Sequence, residues 1–150
     1  PIIEKMAKKG DASRFKFTIP MKHQGLEFSF SGLKTAVIQL IKKFDGKDLP
    51  MDDICASFQK VVADTLLHKS IKACEREAIS TLVLGGGVIA NQYLIERFIE
   101  ACKKHNLNLV PVPPNLCTDN AAMIGMAGYY LADYYDLSMD QIHANPGLTL

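Results

Sequence analysis

The sequence lacks the patterns by which several classes of protein are recognised. Its 150 residues contain four cysteines but no C-x-x-C pair, which argues against a zinc knot or a disulfide framework and favours reduced thiols. No apolar stretch approaches the length of a membrane span, and no secretory signal pattern opens the chain. Four histidines occur without an H-x-x-x-H pair, so the chain shows no complete metal site of its own. These absences predict a cytoplasmic protein that has no contact with a membrane.

Positively charged side chains are missing from the last part of the sequence. No lysine or arginine occurs from Asn106 to the carboxyl end, where aspartates carry the charge. Between Pro1 and Gln24 the imbalance is reversed, because six basic residues outnumber Glu4 and Asp11; they are Lys5, Lys8, Lys9, Arg14, Lys16 and Lys22. A basic leading segment predicts contact with a polyanion such as RNA. The alternative is a solvated helix face and loop.

The composition and the hydrophobic periodicity predict one α/β domain. An apolar fraction of 48% and a charged fraction of 22% are typical of a soluble globular protein. Alternating or apolar runs predict strands at 26–31, 81–84 and 107–112, and helical spacing predicts helices at 33–44, 51–79, 92–105 and 118–135. The sequence predicts an irregular tail at 136–150. Because two or three strands make a narrow sheet, we expect the sheet to be completed by something outside the chain.

A run of three glycines follows the predicted strand at 81–84. Gly85, Gly86 and Gly87 let a ligand approach the backbone N–H groups without interference from side chains. The lysine and Ser/Thr of a P-loop are absent, and the pattern is not G-x-G-x-x-G. The run therefore predicts a backbone surface for a flat or anionic ligand, with Asn91 able to donate and accept hydrogen bonds at its edge. A helix N-cap is the alternative role for Asn91.

A second polar group opens the helix predicted at 118–135. Thr118, Asp119 and Asn120 stand at its start, and Asp119 is either a helix cap or a ligand for a hard cation or iron. Cys117 has no matched histidine, which disfavours a nucleophilic role. Since ligands of α/β folds bind at the carboxyl ends of strands, the two groups predict two walls of one nucleotide or phosphate pocket.

Three segments resemble the TsaD family of bacterial tRNA threonylcarbamoyltransferases, formerly described as O-sialoglycoprotein endopeptidases or glycoproteases. They are Phe28–Thr35 (FSFSGLKT), Leu84–Asn91 (LGGGVIAN) and Cys117–Gly125 (CTDNAAMIG), in the order and at the spacing of the family. The resemblance covers essentially the whole chain. It implies the actin-like, sugar-kinase-like ATPase (ASKHA) fold of two lobes.

The resemblance also implies an activity and a site. A threonylcarbamoyl group passes from threonylcarbamoyl-AMP to N6 of the adenosine adjacent to the anticodon of tRNA. Asn91 corresponds to the asparagine that contacts the adenylate, and Gly85, Gly86 and Gly87 line the same pocket. Asp119 corresponds to one ligand of a divalent metal ion, for which iron is expected. The partners implied are tRNA, threonylcarbamoyl-AMP, TsaB and TsaE, and no catalytic residue is assigned to this chain.

The sequence lacks several features of the family pattern. The two histidines that hold the metal belong to an H-x-x-x-H motif in the amino-terminal half of family members, and this chain has no such motif. Pro1 resembles the proline of a Gly-Gly-Pro turn inside the family sequence, and the tail lacks an Arg-rich ending. We therefore expect residues 1–150 to be a carboxy-terminal lobe that is inactive alone and self-associates through an uncovered apolar face.

Two other functions remain open on the residues alone. One is a noncatalytic, TsaB-like partner or interaction module, and the other is a small-molecule kinase lobe of the same ASKHA fold. The presence of both Asn91 and Asp119 argues against the first, because a degenerate relative needs neither. Proteolysis has no support, since the chain has no zinc-protease motif.

Overall fold

The computed structural model of the protein describes residues 2–19, 21–44 and 48–132. Within these ranges, five α-helices and two strands follow in the order α1 (Ile2–Ala7), α2 (Ser31–Lys42), α3 (Met51–Arg76), β1 (Thr81–Leu84), α4 (Gln92–Lys104), β2 (Asn108–Pro111) and α5 (Ala121–Leu131). A short 3-10 helix follows each strand, at Gly87–Ala90 and at Pro114–Leu116. Helices combined with a parallel sheet confirm the α/β class.

The sheet in the described residues is a parallel pair covered on one face. β1 pairs with β2 so that Leu82 lies opposite Leu109 and Val83 opposite Val110, and α4 supplies the crossover that parallel pairing requires. Leu82 and Leu109 pack, together with Leu84, against a core of α3 and α4 side chains. Val83 and Val110 point to the other face and are 60% and 42% exposed.

Helix α3 is the element against which the rest of the core packs. Ten of its 26 residues are buried, on more than one side of the helix: Ile54, Cys55, Ala56, Ser57, Val61, Ala63, Thr65, Leu67, Lys69 and Cys74. α1 contacts its amino-terminal part, and α4 and β1 pack farther along it. The four cysteines, two of which lie on α3, are all buried free thiols, which confirms the prediction that they form no disulfide framework.

The segment after α1 is held to the first turns of α3 by close backbone approach and polar contacts. A Cβ at Gly10 would lie 2.0 Å from the Asp52 carbonyl oxygen, so only glycine fits there. Asp11 donates its backbone N–H to Asp53 at 2.7 Å, and Arg14 pairs with the same carboxylate. The Asp11 N–H and the Arg14 guanidinium together hold the pKa of Asp53 below its ordinary value of 3.8.

A buried lysine holds the next part of this segment. The Lys69 side chain is 1% exposed, and its ammonium donates to the carbonyl oxygens of Met21 and Gln24, both at 2.6 Å, and of Gly25 at 3.1 Å. The three carbonyls replace the water that the charge loses on burial. The neighbouring His68 ring lies 3.2 Å from the Lys22 carbonyl oxygen, so His68 also contacts this segment.

Two segments differ from the sequence-based predictions. The strand predicted at 26–31 is absent: residues 27–30 pair with neither β1 nor β2, and α2 begins at Ser31. An alternating pattern forms a strand only beside a neighbouring strand that takes its hydrogen bonds, and the described residues supply none there. The helix predicted at 118–135 begins at Ala121. Its predicted end and the tail at 136–150 lie outside the described residues.

Helix α5 is apolar yet uncovered. None of its eleven residues is buried, and Ile124, Tyr129 and Tyr130 are each about 70% exposed. This agrees with the expectation of an uncovered apolar face, whereas self-association through that face stays a prediction. None of the helices in the described part of the chain has the length and apolar character required to cross a bilayer.

Replacing Lys69 tests the buried polar anchor. We expect Lys69→Met to lower the free energy of unfolding by about 2–3 kcal/mol, because three carbonyl oxygens lose a charged donor. Lys72→Met, on the same helix at a partly exposed position, serves as the control and is expected to change it by less than about 0.5 kcal/mol. Urea unfolding of both variants measures the difference, and equal stabilities would contradict the assigned role.

Candidate functional site

The glycine turn, Gly85–Gly87, leads from β1 into the 3-10 helix at Gly87–Ala90. Gly86 has φ 91° and ψ 163°, a conformation that is essentially restricted to glycine. All three glycines are exposed, and the turn is closed by the Ile89 N–H, which donates to the Gly86 carbonyl at 3.1 Å. The turn therefore presents bare backbone at the carboxyl end of β1.

Asn91 ends this turn and is held by two hydrogen bonds. Its Oδ1 accepts the backbone N–H of Leu94 at 3.0 Å, so it caps α4, as the alternative interpretation held. Its Nδ2 donates to Oε1 of Gln59 on α3 at 2.8 Å. An amide nitrogen has two hydrogens and a carbonyl oxygen has two lone pairs, so each end of the side chain keeps one hydrogen-bonding position. Capping and ligand contact are thus compatible at Asn91.

The second turn lies beside the first. The Val112 N–H donates to the Leu84 carbonyl at 2.8 Å, which extends the strand pairing to the edge of the sheet, and the 3-10 helices at Gly87–Ala90 and Pro114–Leu116 contact each other. Cys117 is buried, with its thiol 3.3 Å from the Val112 carbonyl oxygen, so it anchors the turn. The two turns thus leave the sheet at the same edge, whereas a shared ligand pocket stays a prediction.

Asn120, rather than Asp119, caps α5. The Asn120 Oδ1 accepts the Met123 N–H at 2.9 Å, and its Nδ2 donates to the Thr118 carbonyl at 2.9 Å. The sequence left open whether Asp119 is a cap or a ligand, and the geometry assigns the cap to its neighbour. The Asp119 carboxylate is exposed just before the helix. A ligand can therefore bind this carboxylate without removing the cap of α5.

The residues described do not complete a metal site around Asp119. No group of three or more His, Cys, Asp or Glu side chains within 2–19, 21–44 and 48–132 is arranged to hold an ion. A single exposed carboxylate does not bind a divalent cation tightly, because such ions take several ligands. Asp119 alone therefore does not make a metal site within the part of the chain that the structure describes.

An apolar cleft of about 1120 Å³ borders the other side of the glycine turn. Gly85, Val88 and Ile89 form one wall, and mostly apolar side chains of α2 and α3, with a few from α1 and α4, form the rest. Leu33 of α2 is buried there, whereas Ile38 and Ile41 remain exposed. Such a lining suits apolar groups and not a phosphate, since a buried charge requires polar partners. The exposed backbone of the glycine turn is the better place for an anionic ligand.

Comparison with known proteins identifies the family. The family model described as TsaD, tRNA N6-adenosine threonylcarbamoyltransferase, matches residues 1–126, which include the glycine turn, Asn91 and Asp119. The chain belongs to the TsaD family. This membership supports the resemblance carried by Phe28–Thr35, Leu84–Asn91 and Cys117–Gly125.

Curated members of the TsaD family align over most or all of the chain. The tRNA N6-adenosine threonylcarbamoyltransferases of Thermosipho melanesiensis and Thermosipho africanus are 48% and 44% identical over the whole chain, which covers 45% and 46% of their lengths. That of Prochlorococcus marinus (strain MIT 9215) is 44% identical over 91% of the chain and 40% of its own length. The chain spans just under half the length of the curated relatives it matches.

Gln59 is a site residue that the sequence does not reveal. It stands on α3, 32 residues before Asn91, and only the packing of α3 against the start of α4 brings the two amides together. The sequence gives no distinct signal for this role, since Gln59 is one polar residue at a partly buried position of α3. Gln59 therefore positions the asparagine that the TsaD motif places at the glycine turn.

Two alanine substitutions separate the roles of neighbouring glycines. Gly86→Ala is expected to lower the free energy of unfolding by about 1–3 kcal/mol, because its positive φ is strained for any residue with a Cβ. At Gly87 a Cβ would meet no atom within 4 Å, so Gly87→Ala is expected to cost less than about 1 kcal/mol. Denaturant unfolding compares them, and an equal loss would contradict the assigned backbone geometry.

Proposed function

We propose that the chain is the carboxy-terminal lobe of a tRNA N6-adenosine threonylcarbamoyltransferase with the two-lobed ASKHA fold. The glycine turn is one wall of its threonylcarbamoyl-AMP pocket. The observation that carries this proposal is the contact between the two turns at the carboxyl edge of the sheet, where bare glycine backbone meets a segment with a free carboxylate. Membership in the TsaD family and the names of the curated relatives support the reaction.

The reaction joins an amine to an activated carbonyl. The N6 amine of adenosine attacks the carbonyl carbon of the threonylcarbamoyl group, the bond from that carbon to the AMP phosphate oxygen breaks, and AMP leaves as the amine loses a proton. The exposed backbone at Gly85–Gly87 binds the phosphate side of the adenylate, because no side chain there prevents close approach. Half of a cleft cannot orient both reactants, so the lobe alone is inactive.

Asn91 contacts the adenylate with the hydrogen-bonding positions that the fold leaves to it. The hydrogen bond from Nδ2 to Gln59 fixes the plane of the amide, so its second N–H has a defined direction. A donor oriented before the ligand arrives loses little entropy on binding. Gln59 is thus a positioning residue for this contact.

Asp119 is one ligand of a divalent metal ion, with iron expected, whose other ligands lie outside this chain. The capping of α5 by Asn120 supports this assignment, because it leaves the carboxylate exposed and unused by the helix. Such an ion would polarise a carbonyl oxygen when bound. The further partners that we propose are TsaB and TsaE, in the cytoplasm, and a second copy of the isolated lobe on its apolar face.

Transfer and metal assays test the Asp119 assignment. With threonylcarbamoyl-AMP and tRNA we expect product from the full-length protein and none from the 150-residue chain. Asp119→Ala in the full-length protein is expected to lower both transfer and the metal content measured by elemental analysis at least about tenfold. Glu100→Ala, an exposed carboxylate on α4, should change neither. Product formed by the chain alone, or normal metal content in the Asp119 variant, would overturn the corresponding part of the proposal.

A conservative change at Asn91 separates capping from ligand binding. Serine also caps helices well, so Asn91→Ser in the full-length protein keeps the cap of α4 and loses the hydrogen bond to Gln59, which is expected to lower the free energy of unfolding by about 1 kcal/mol. It lacks the Nδ2 donor, and the affinity for threonylcarbamoyl-AMP is expected to fall about three- to tenfold. Calorimetric titration measures the affinity, and an unchanged value would show that Asn91 only caps α4.

A further inference from the structure

The acidic and basic residues of the leading segment are used differently. Glu4 accepts the backbone N–H of Gln92 at 2.9 Å, and Asp11 accepts the N–H and hydroxyl of Ser13, both at 2.7 Å. Both carboxylates are therefore occupied by internal hydrogen bonds. The lysines of the same segment are exposed, and none of them pairs with a carboxylate of the described residues: Lys5, Lys8, Lys9, Lys16 and Lys22. We call these five residues the lysine face.

The lysine face follows helix α3 over much of its length. Lys5 lies on α1, and Lys8 and Lys9 follow in the turn that extends it, where the Lys8 N–H still donates to the Glu4 carbonyl at 3.1 Å. At three and four positions from Lys5, they lie on the same side of this extended turn. Beyond α1, the segment contacts Asp53 near its start and Lys69 near its end. Those sixteen positions of α3 correspond to about 24 Å. Lys16 and Lys22 are exposed positions of this segment and add further positive charge along α3.

The lysine face begins beside the proposed adenylate pocket. The Glu4 carboxylate binds the N–H of Gln92, the residue that follows Asn91, and Ile3 lines the same cleft as Gly85 and Val88. Lys5 is adjacent to Glu4, and Lys8 lies about one turn away. A polyanion bound along these lysines therefore passes close to the glycine turn.

From this arrangement we infer that the lysine face is a docking surface for the phosphate backbone of an RNA whose adenosine enters the pocket at the glycine turn. The inference rests on the proposed function and adds the place where the nucleic acid lies. Spaced ammonium groups suit phosphates as point charges and contribute a salt-dependent affinity without reading sequence. An RNA is favoured over a membrane because the lysine face begins beside the pocket proposed for threonylcarbamoyl-AMP, whose acceptor is an adenosine.

A charge-removal experiment in the full-length protein tests the inference. The variant Lys5→Gln/Lys8→Gln/Lys9→Gln is expected to raise the KM for tRNA at least tenfold at about 0.1 M salt, with kcat and the KM for threonylcarbamoyl-AMP within about twofold of the unaltered protein. The slope of log K for tRNA against log salt concentration should become shallower by about 2–3, since about 0.7–0.9 is lost for each phosphate contact.

A second triple variant removes the same charge elsewhere. Lys72, Lys103 and Lys104 lie toward the carboxyl ends of α3 and α4, and two of them border a polar cleft that also contains Glu75 and Glu100. Lys72→Gln/Lys103→Gln/Lys104→Gln is expected to leave the KM for tRNA and the salt slope unchanged. Equal effects of the two triple variants would overturn the inference, because they would show a response to net charge alone.

The remaining outcomes separate this inference from the proposed function. Absence of transfer by the unaltered full-length protein would overturn the proposed function. Transfer with a normal tRNA KM in the Lys5/Lys8/Lys9 variant would overturn the lysine face alone. Normal tRNA binding by that variant, combined with lost cosedimentation on phosphatidylserine vesicles, would overturn it in favour of a membrane.

Discussion

The arrangement of the candidate site depends on one interaction, the parallel pairing of β1 with β2. Parallel strands end at the same edge of a sheet, so the chain leaves both strands at one place. The Val112 N–H bound to the Leu84 carbonyl carries the pairing up to the first residues of the two turns. Because each turn then forms a 3-10 helix and the two helices touch, bare glycine backbone and an exposed carboxylate come to lie on neighbouring turns, although they are more than thirty residues apart in sequence.

Helix α3 packs against the elements that form this edge, and it also holds the leading segment in place. Its buried apolar residues pack against β1 and α4, while several of its polar residues hold neighbouring segments. Asp53 and Lys69 hold the leading segment, and Gln59 orients Asn91. Lys60 and Arg97 both pair with Asp64, which links α3 to α4. One helix thus fixes the position of the glycine turn and the path of the lysine face together.

The described residues expose several apolar surfaces. This exposure agrees with the finding that the chain spans just under half the length of its curated relatives. The outer face of the sheet, the α5 helix and the cleft beside α2 all expose large apolar side chains. Large exposed apolar patches are unusual on monomeric proteins and mark surfaces that contact a partner. The missing strand at 26–31 has the same cause, since an alternating segment without a neighbouring strand has no partner for its backbone groups. These features support the proposal of a lobe whose counterpart lies outside the chain.

The sequence by itself determined the elements and motifs whose signals are local. Apolar runs and periodicity located β1, β2, α3 and α4 to within a few residues, and the three glycines located the turn, because these patterns reflect the geometry of neighbouring residues. Tertiary structure decided which side chains the motifs leave free. Asn120 rather than Asp119 caps α5, Gln59 reaches Asn91, and the acidic residues of the leading segment turn inward while its lysines stay exposed. Each of these outcomes depends on contacts between distant residues or on competition between adjacent polar groups, which only the packed chain resolves.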